Sequence, residues 1–304
     1  MASFAVKVTR LALKCVSAVS PEMAGQMAFR LFSITPSRKP RSPKEKAALA
    51  AAEPVMARAR PVTLSFAGGW ITAKHFDAQP AGGAKSRVLL VHGWGSRSNY
   101  LAAMIDGLTA GGAEVVALDW PGHGASPGRT LTMPAAVRAI DAAWRQFGGF
   151  DAAVGHSFGG ASLACAAGGV VDDVPSHVAG KMVLIGAPSE MTWLFKGFGR
   201  YLRLSAKAQA ALEDMVMRLS GRKIEEFDAA RIVGMLGTPV LVIHAEDDKE
   251  VSADHARRYA AAGGNIDLEW ANGLGHRRIV SAPAVIARIN AFLHASEAGQ
   301  RRAA

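Results

Sequence analysis

Short apolar runs alternate along most of the chain with longer stretches whose apolar residues recur every three or four positions. The first pattern predicts strands and the second helices. The runs are VTLSF (62–66), WITAKHF (70–76), RVLLVHGW (87–94), EVVALDW (114–120), DAAVGHS (151–157), KMVLIGA (181–187), PVLVIHA (239–245) and IDLEWAN (266–272). The first two read as a hairpin around Ala67-Gly68-Gly69. Helical spacing covers 99–111, 132–147, 158–169, 253–262 and 282–296. RVLLVHGW is continuously apolar, as expected of a strand covered on both faces. Strands alternating with helices predict an α/β fold, a mostly parallel sheet of about eight strands with helices on both faces.

Two intervals depart from the alternation. Residues 188–237 separate two core strands and contain Trp193, Phe195, Phe198 and Tyr201, then a charged helical stretch over 206–220. They read either as a small helical cap, with Trp193, Phe195 and Phe198 as pocket residues, or as an elaborated crossover whose aromatics dock it on the sheet. The other interval is the leader. Lys7, Arg10 and Lys14 fall on one helical face there, and Phe4, Val8, Leu11 and Ala12 on the other. A basic amphipathic helix of this kind lies on an anionic membrane surface or packs on the protein's own body. Residues 35–48, TPSRKPRSPKEKAA, read as an exposed linker with a short Ala-rich helix at 46–52. The expected division is a basic helical extension and linker at 1–61, a core domain at 62–297 including the 188–237 insertion, and a tail at 298–304.

Charge and composition sharpen this. Residues 1–61 hold eleven Lys/Arg against three Glu, so they carry +8 of the chain's +10. Basicity therefore belongs to the leader, which is too aliphatic to suit nucleic acid. Lys7, Arg10 and Lys14 interrupt its apolar run, which argues against a signal peptide. No stretch of about 18 uncharged apolar residues predicts a transmembrane helix. Two cysteines, Cys15 and Cys165, cannot build a disulfide framework and fit a reducing, cytoplasmic location, with peripheral contact of residues 1–34 at a membrane's inner face as the added expectation. The nine histidines have no ligand-like spacing, so no metal is expected. No Gly-Lys-Ser/Thr follows the glycines at 155–160, which excludes a phosphate loop and leaves no cofactor site.

The candidate chemistry lies at strand ends, where open parallel sheets bind ligands. VGHSFGG (154–160) puts Ser157 between a buried strand and a helix, among glycines that let the backbone turn sharply. G-x-S-x-G alone is a weak signal; its strand–helix context strengthens it. A serine hydroxyl needs a base, and the base an orienting carboxylate. IHAEDD (243–248) offers Asp247 and Asp248, and NGLGHRRI (272–279) offers His276. LLVHGWGS (89–96) ends an earlier strand, so the Trp94 N–H and the Phe158 N–H are the candidate oxyanion donors.

With LLVHGWGS, ALDWPGHGAS, VGHSFGG, LVIHAEDDKEV and LGHRRI in this order, the chain resembles the α/β-hydrolase fold family over roughly residues 62–297. In that family the acid commonly sits four residues after the histidine of H-G-x-x-D-x-x-V. Counting from His244 selects Asp248, with Ala245 in place of the glycine, Asp247 as runner-up and Glu190 a distant third. Dehalogenases and epoxide hydrolases of the fold use Asp as nucleophile and polyester synthases use Cys, so Ser157 implies acyl chemistry. The resemblance implies hydrolysis of a small-molecule ester or thioester by Ser157, His276 and Asp248. Transfer to another acceptor and a non-catalytic binding role are the alternatives. His92 is expected to brace the oxyanion loop, His123 to lie in a structural loop beside the site, and His156 to pack or be solvated.

Overall fold

The computed structural model describes residues 4–40, 42–79 and 86–295. The expected tail at 298–304 lies outside the described residues. Three helices come first: α1 (Phe4–Val19), α2 (Pro21–Ser33) and α3 (Pro43–Met56). Then follow β1 (Arg60–Phe66), β2 (Gly69–Phe76), β3 (Ser86–Val91), α4 (Ala102–Ala110), β4 (Ala113–Asp119), α5 (Met133–Phe147), β5 (Ala152–His156), α6 (Phe158–Ala167) and β6 (Lys181–Ile185). The chain continues through α7 (Met191–Leu202), α8 (Ala206–Ser220), α9 (Ala229–Met235), β7 (Val240–His244), α10 (Ala253–Ala260), β8 (Ile266–Trp270), α11 (Gly275–Arg278) and α12 (Pro283–His294).

The eight strands form one sheet in the order β1-β2-β4-β3-β5-β6-β7-β8. Pairings β1–β2 and β2–β4 are antiparallel and all others parallel. Because side chains alternate across a strand, β3 feeds two cores. Leu89 and Val91 pack with α5 and α6, while Val88 and Leu90 pack with α4 and α12. This double burial accounts for the unbroken apolar run.

Local chemistry explains several boundaries. The hairpin is one residue tighter than expected: Phe66 pairs with Gly69, so Gly69 belongs to β2. The short helix expected at 46–52 begins at Pro43, because the Ser42 side chain caps it by accepting from the Glu45 N–H at 3.1 Å and Pro43 suits a first-turn position. Residues 188–237 resolve into two parts. Helix α9 packs beside α6 and α10 as a crossover would, and α7 and α8 pack on each other and on the leader helices.

The leader is fastened to the body. Helix α2 lies along α8. The Leu131 N–H donates to Ser33 O and the Thr35 N–H to Arg129 O, both at 2.9 Å, so the chain after α2 runs along residues 129–131. Helix α1 attaches through Leu13, which is buried, and through Arg10, whose guanidinium donates to Tyr201 O at 2.6 and 2.8 Å. The Arg10 guanidinium is thereby engaged with α7 instead of being free on the basic face. The apolar stripe Phe4, Val8 and Leu11 faces solvent. Among the described residues no helix is long and apolar enough to cross a membrane.

Candidate active site

Strand β5 ends at His156 and α6 begins at Phe158, leaving Ser157 alone to make the turn, with φ 54° and ψ −123°. A non-glycine residue with positive φ is strained. Here the strain is held by packing and by the Ser157 N–H, which donates to Ile185 O at 2.8 Å. The flanking glycines are required by close approach. A Cβ on Gly155 would lie 2.6 Å from the Gly160 nitrogen, and one on Gly159 would lie 2.7 Å from the carbonyl oxygens of Val91 and His92. Glycine at these positions therefore lets α6 sit directly against β5 and β3.

His276 lies on α11, after β8, and Asp248 lies on the turn after β7. Their separation is 2.6 Å between His276 Nδ1 and Asp248 Oδ2, and both side chains are buried. A carboxylate only accepts, so Nδ1 carries the proton, and in the neutral ring Nε2 is the nitrogen left with the lone pair. Asp248 Oδ1 accepts from the Glu250 and Val251 N–H groups at 2.8 and 2.9 Å. Burial pushes the Asp248 carboxyl up, but the Val251 N–H, His276 and the Glu250 N–H outweigh it and hold the pKa below the ordinary value. Asp248 thus stays ionised beside the imidazole. His244 steadies this turn by donating from Nε2 to Val251 O at 3.0 Å.

The other carboxylates sit elsewhere. Asp247 is exposed and accepts from the Gly273 N–H at 2.8 Å, bracing the loop that leads to His276. Glu190 accepts from Thr192 Oγ1 at 2.8 Å at the start of α7.

The loop after β3 lies against Ser157: a Cβ built on Gly93 would come 3.0 Å from Ser157 Cβ. Two histidines shape this loop. His92 donates from Nδ1 to Gly93 O at 2.7 Å and accepts from the Trp120 N–H at 3.3 Å. His123 accepts the Gly95 N–H on Nε2 at 2.9 Å. Both accepting roles need a neutral ring. Burial depresses both pKa values, against the pull of Asp119. The Trp94 N–H has no protein acceptor among the described residues. Neither has the Phe158 N–H, which opens α6 where intrahelical acceptors are lacking. His156 packs rather than being solvated. Burial, with His276 beside it, pushes its pKa down to about 3, and its Nε2 donates to His276 O at 2.8 Å.

Ser157, Phe158, Trp94 and His276 line one cavity of about 460 Å³. Trp193 and Phe198 of α7 line it as well, with Met191 and Leu194. Phe195, expected as a pocket residue, does not reach it and lies in the core. It is 1 % exposed, with its ring 4.7 Å from that of Phe32. Its place on the cavity wall is taken by residues the sequence reading left out: Leu31, Phe32 and Ile34 of the leader, with Leu131 and Met133. The Phe32 ring lies 5.1 Å from Phe198 and 6.4 Å from Trp94.

Two further residues were missed. Gly186, at the end of β6, has φ +55°, and a Cβ there would meet His276 Nδ1 at 3.3 Å and Asp248 Oδ2 at 3.4 Å. Buried Asp119 accepts from the Ser98 and Ala125 N–H groups at 2.8 and 2.9 Å and from Lys74 Nζ at 3.2 Å, tying the loops after β3 and β4 together. Its place in ALDWPGHGAS was the available signal. Among the described residues no group of three or more His, Cys, Asp or Glu could hold a metal ion. Cys165 is buried, which raises its pKa to about 12 and leaves the thiol unreactive.

A mostly parallel sheet with a serine on a strand–helix turn, and a His–Asp pair on later strand ends, defines the α/β-hydrolase class. The sequence model of the alpha/beta hydrolase family matches residues 88–289, and the chain belongs to that family. Among solved structures it is similar to a Pyrococcus furiosus esterase (18 % identity, 86 % of this chain and 98 % of that one, TM-score 0.57). It is also similar to an esterase from Rhodococcus sp. (18 %, 77 % and 98 %, 0.54). A third similar structure is a Paleococcus ferrophilus monoacylglycerol lipase (24 %, 73 % and 98 %, 0.55). At these identities the likeness concerns the fold. No curated protein matches the chain.

Proposed function

We propose that the protein is a serine hydrolase that cleaves small-molecule carboxylic esters through an acyl-enzyme. The observation that carries this reading is the buried His276–Asp248 pair at 2.6 Å, whose His276 lines the same cavity as the strained Ser157. Ser157 Oγ attacks the ester carbonyl carbon and its proton passes to His276 Nε2. Negative charge gathers on the former carbonyl oxygen, which the Trp94 and Phe158 N–H groups receive. The bond to the leaving alcohol breaks and His276 returns the proton to it. Water then attacks the acyl-serine carbon as His276 takes its proton; the bond to Ser157 Oγ breaks, His276 returns the proton to Oγ, and the acid leaves. Asp248 holds the imidazole tautomer and offsets the charge of the imidazolium. The apolar cavity formed by α7, the leader and Trp94 takes the acyl chain. The esterase and lipase neighbours support the same substrate class.

The test is a fluorophosphonate probe together with p-nitrophenyl acetate. Wild type should label on Ser157 and hydrolyse the ester. Ser157→Ala should lose labelling and about 10⁴-fold or more in turnover. A folded wild-type protein that neither labels nor hydrolyses would favour a binding role. Residual Ser157→Ala activity within about tenfold of wild type would move the nucleophile elsewhere.

A further inference from the structure

We propose that the α1–α2 pair docks the protein on an anionic lipid bilayer, with the cavity opening next to the docked face. Helix α1 fastens to the body with one stripe and turns another outward. Phe4, Val8, Leu11 and Val19 are 82, 49, 63 and 88 % exposed. With Cys15 they fall at i, i+4, i+7, i+11 and i+15, which is one continuous helical face. Water-facing apolar residues in such a row mark an interaction surface. Helix α2, separated from α1 by Ser20 alone, continues the pattern with exposed Met23, Met27 and Leu31, and Ile34 follows it.

Charge identifies the occupant. On the helical wheel, exposed Lys7 and Lys14 flank the α1 stripe on one side. Lys14 shares a groove with Arg203 and Lys207, both exposed. An apolar stripe with a basic flank is the pattern of a helix lying in the headgroup region of an anionic membrane. The net +8 of residues 1–61 adds long-range attraction to the same surface. A second copy of this chain would bring the same positive charge against itself.

The α2 stripe also leads to the cavity, because exposed Leu31 and Ile34 both line it. An acyl ester carried in the bilayer would then meet the cavity without crossing water. This last step rests on the ester-hydrolase reading; the docking itself does not.

The test is flotation of the full chain with phosphatidylcholine vesicles, with and without phosphatidylglycerol, at low and high salt. Hydrolysis of soluble p-nitrophenyl acetate and of a vesicle-borne dodecanoyl ester is measured in parallel. Wild type should float with the phosphatidylglycerol vesicles and be released by salt. Val8→Asp/Leu11→Asp, at exposed positions outside the catalytic machinery, should weaken binding by about 100-fold. It should slow only the vesicle-borne reaction and leave acetate turnover unchanged. Absence of flotation, or flotation unchanged in the variant, would overturn the docking. So would light scattering that shows a dimer in wild type and a monomer in the variant, without vesicle binding. Flotation as expected in a protein that hydrolyses neither ester would sink the hydrolase reading and leave the docking standing.

Discussion

The two halves of the site are built differently. The half that holds Ser157, His276 and Asp248 sits on the ends of β5, β8 and β7, and its geometry is set by backbone. Glycines admit close contacts, N–H groups hold the Asp248 carboxylate, and neutral histidines lock the neighbouring loop. The half that walls the cavity is assembled largely from separate helices, where Phe32 of α2 meets Phe198 of α7 and Trp94 ring to ring and backbone bonds enter only where the leader runs along residues 129–131. Backbone-defined geometry tolerates little change, whereas a packed apolar wall accepts other side chains of suitable volume. Under the proposed function, the fold would keep the reacting groups fixed and leave acyl selection to elements outside the sheet.

The contrast breaks first at the acid. Asp248→Asn should lose about 10³–10⁴ in turnover, because an amide no longer fixes the imidazole tautomer. Asp247→Asn should lose less than about tenfold, since Asp247 only braces a loop. Steady-state kinetics with p-nitrophenyl acetate decides, and the reverse ranking would reassign the acid. Next comes Gly186→Ala, whose added methyl presses on both His276 and Asp248 at a positive φ. It should cost about 10²-fold in turnover through misplacement of the pair, with fluorophosphonate labelling slowed to match. An unchanged rate would show that the backbone there is not confining.

A smaller effect concerns pH and stability. His156 has its pKa pushed from 6.5 down to about 3, and burial lowers His92, His123, His244 and His255 as well. Between these values the unfolded chain binds protons that the folded protein refuses. The stability these histidines contribute is therefore fully present above about pH 6.5 and is lost as the pH falls towards 3. The melting temperature should drop by about 5–10 °C from pH 7 to pH 4. His156→Gln, which cannot titrate, should make the decline shallower. A melting temperature independent of pH over this range would contradict neutral buried histidines.

The contrast also explains what the sequence revealed. Strand runs, the glycines around Ser157, His276 and the two candidate acids Asp247 and Asp248 follow local rules, since each depends on a strand end and its next few residues; the choice of Asp248 over Asp247 came from the family resemblance. Gly186 obeys a rule too, but its partners come from two other strand ends, so nothing beside it pointed there. The exchange of Phe195 for Phe32 on the cavity wall had no local signal. Both are apolar residues at helical spacing, and which one faces the cavity depends on how α2 lies along α8, a contact between residues nearly two hundred positions apart. The leader's two alternatives, lying on a membrane or packing on the body, stayed open for the same reason, because its charge was visible and its hydrogen bonds to residues 129–131 were not.

The most direct test of this division of labour is kcat/KM over p-nitrophenyl esters from acetyl to dodecanoyl, for wild type, Phe32→Ala and Phe198→Ala. Each methylene taken up by an apolar wall is worth about 0.8 kcal/mol, so wild type should climb with chain length to a defined optimum. Both variants should shift that optimum while acetyl turnover stays within about threefold of wild type. A uniform loss at every chain length in folded variants would contradict the account, because it would place the helical wall inside the catalytic geometry instead of around it.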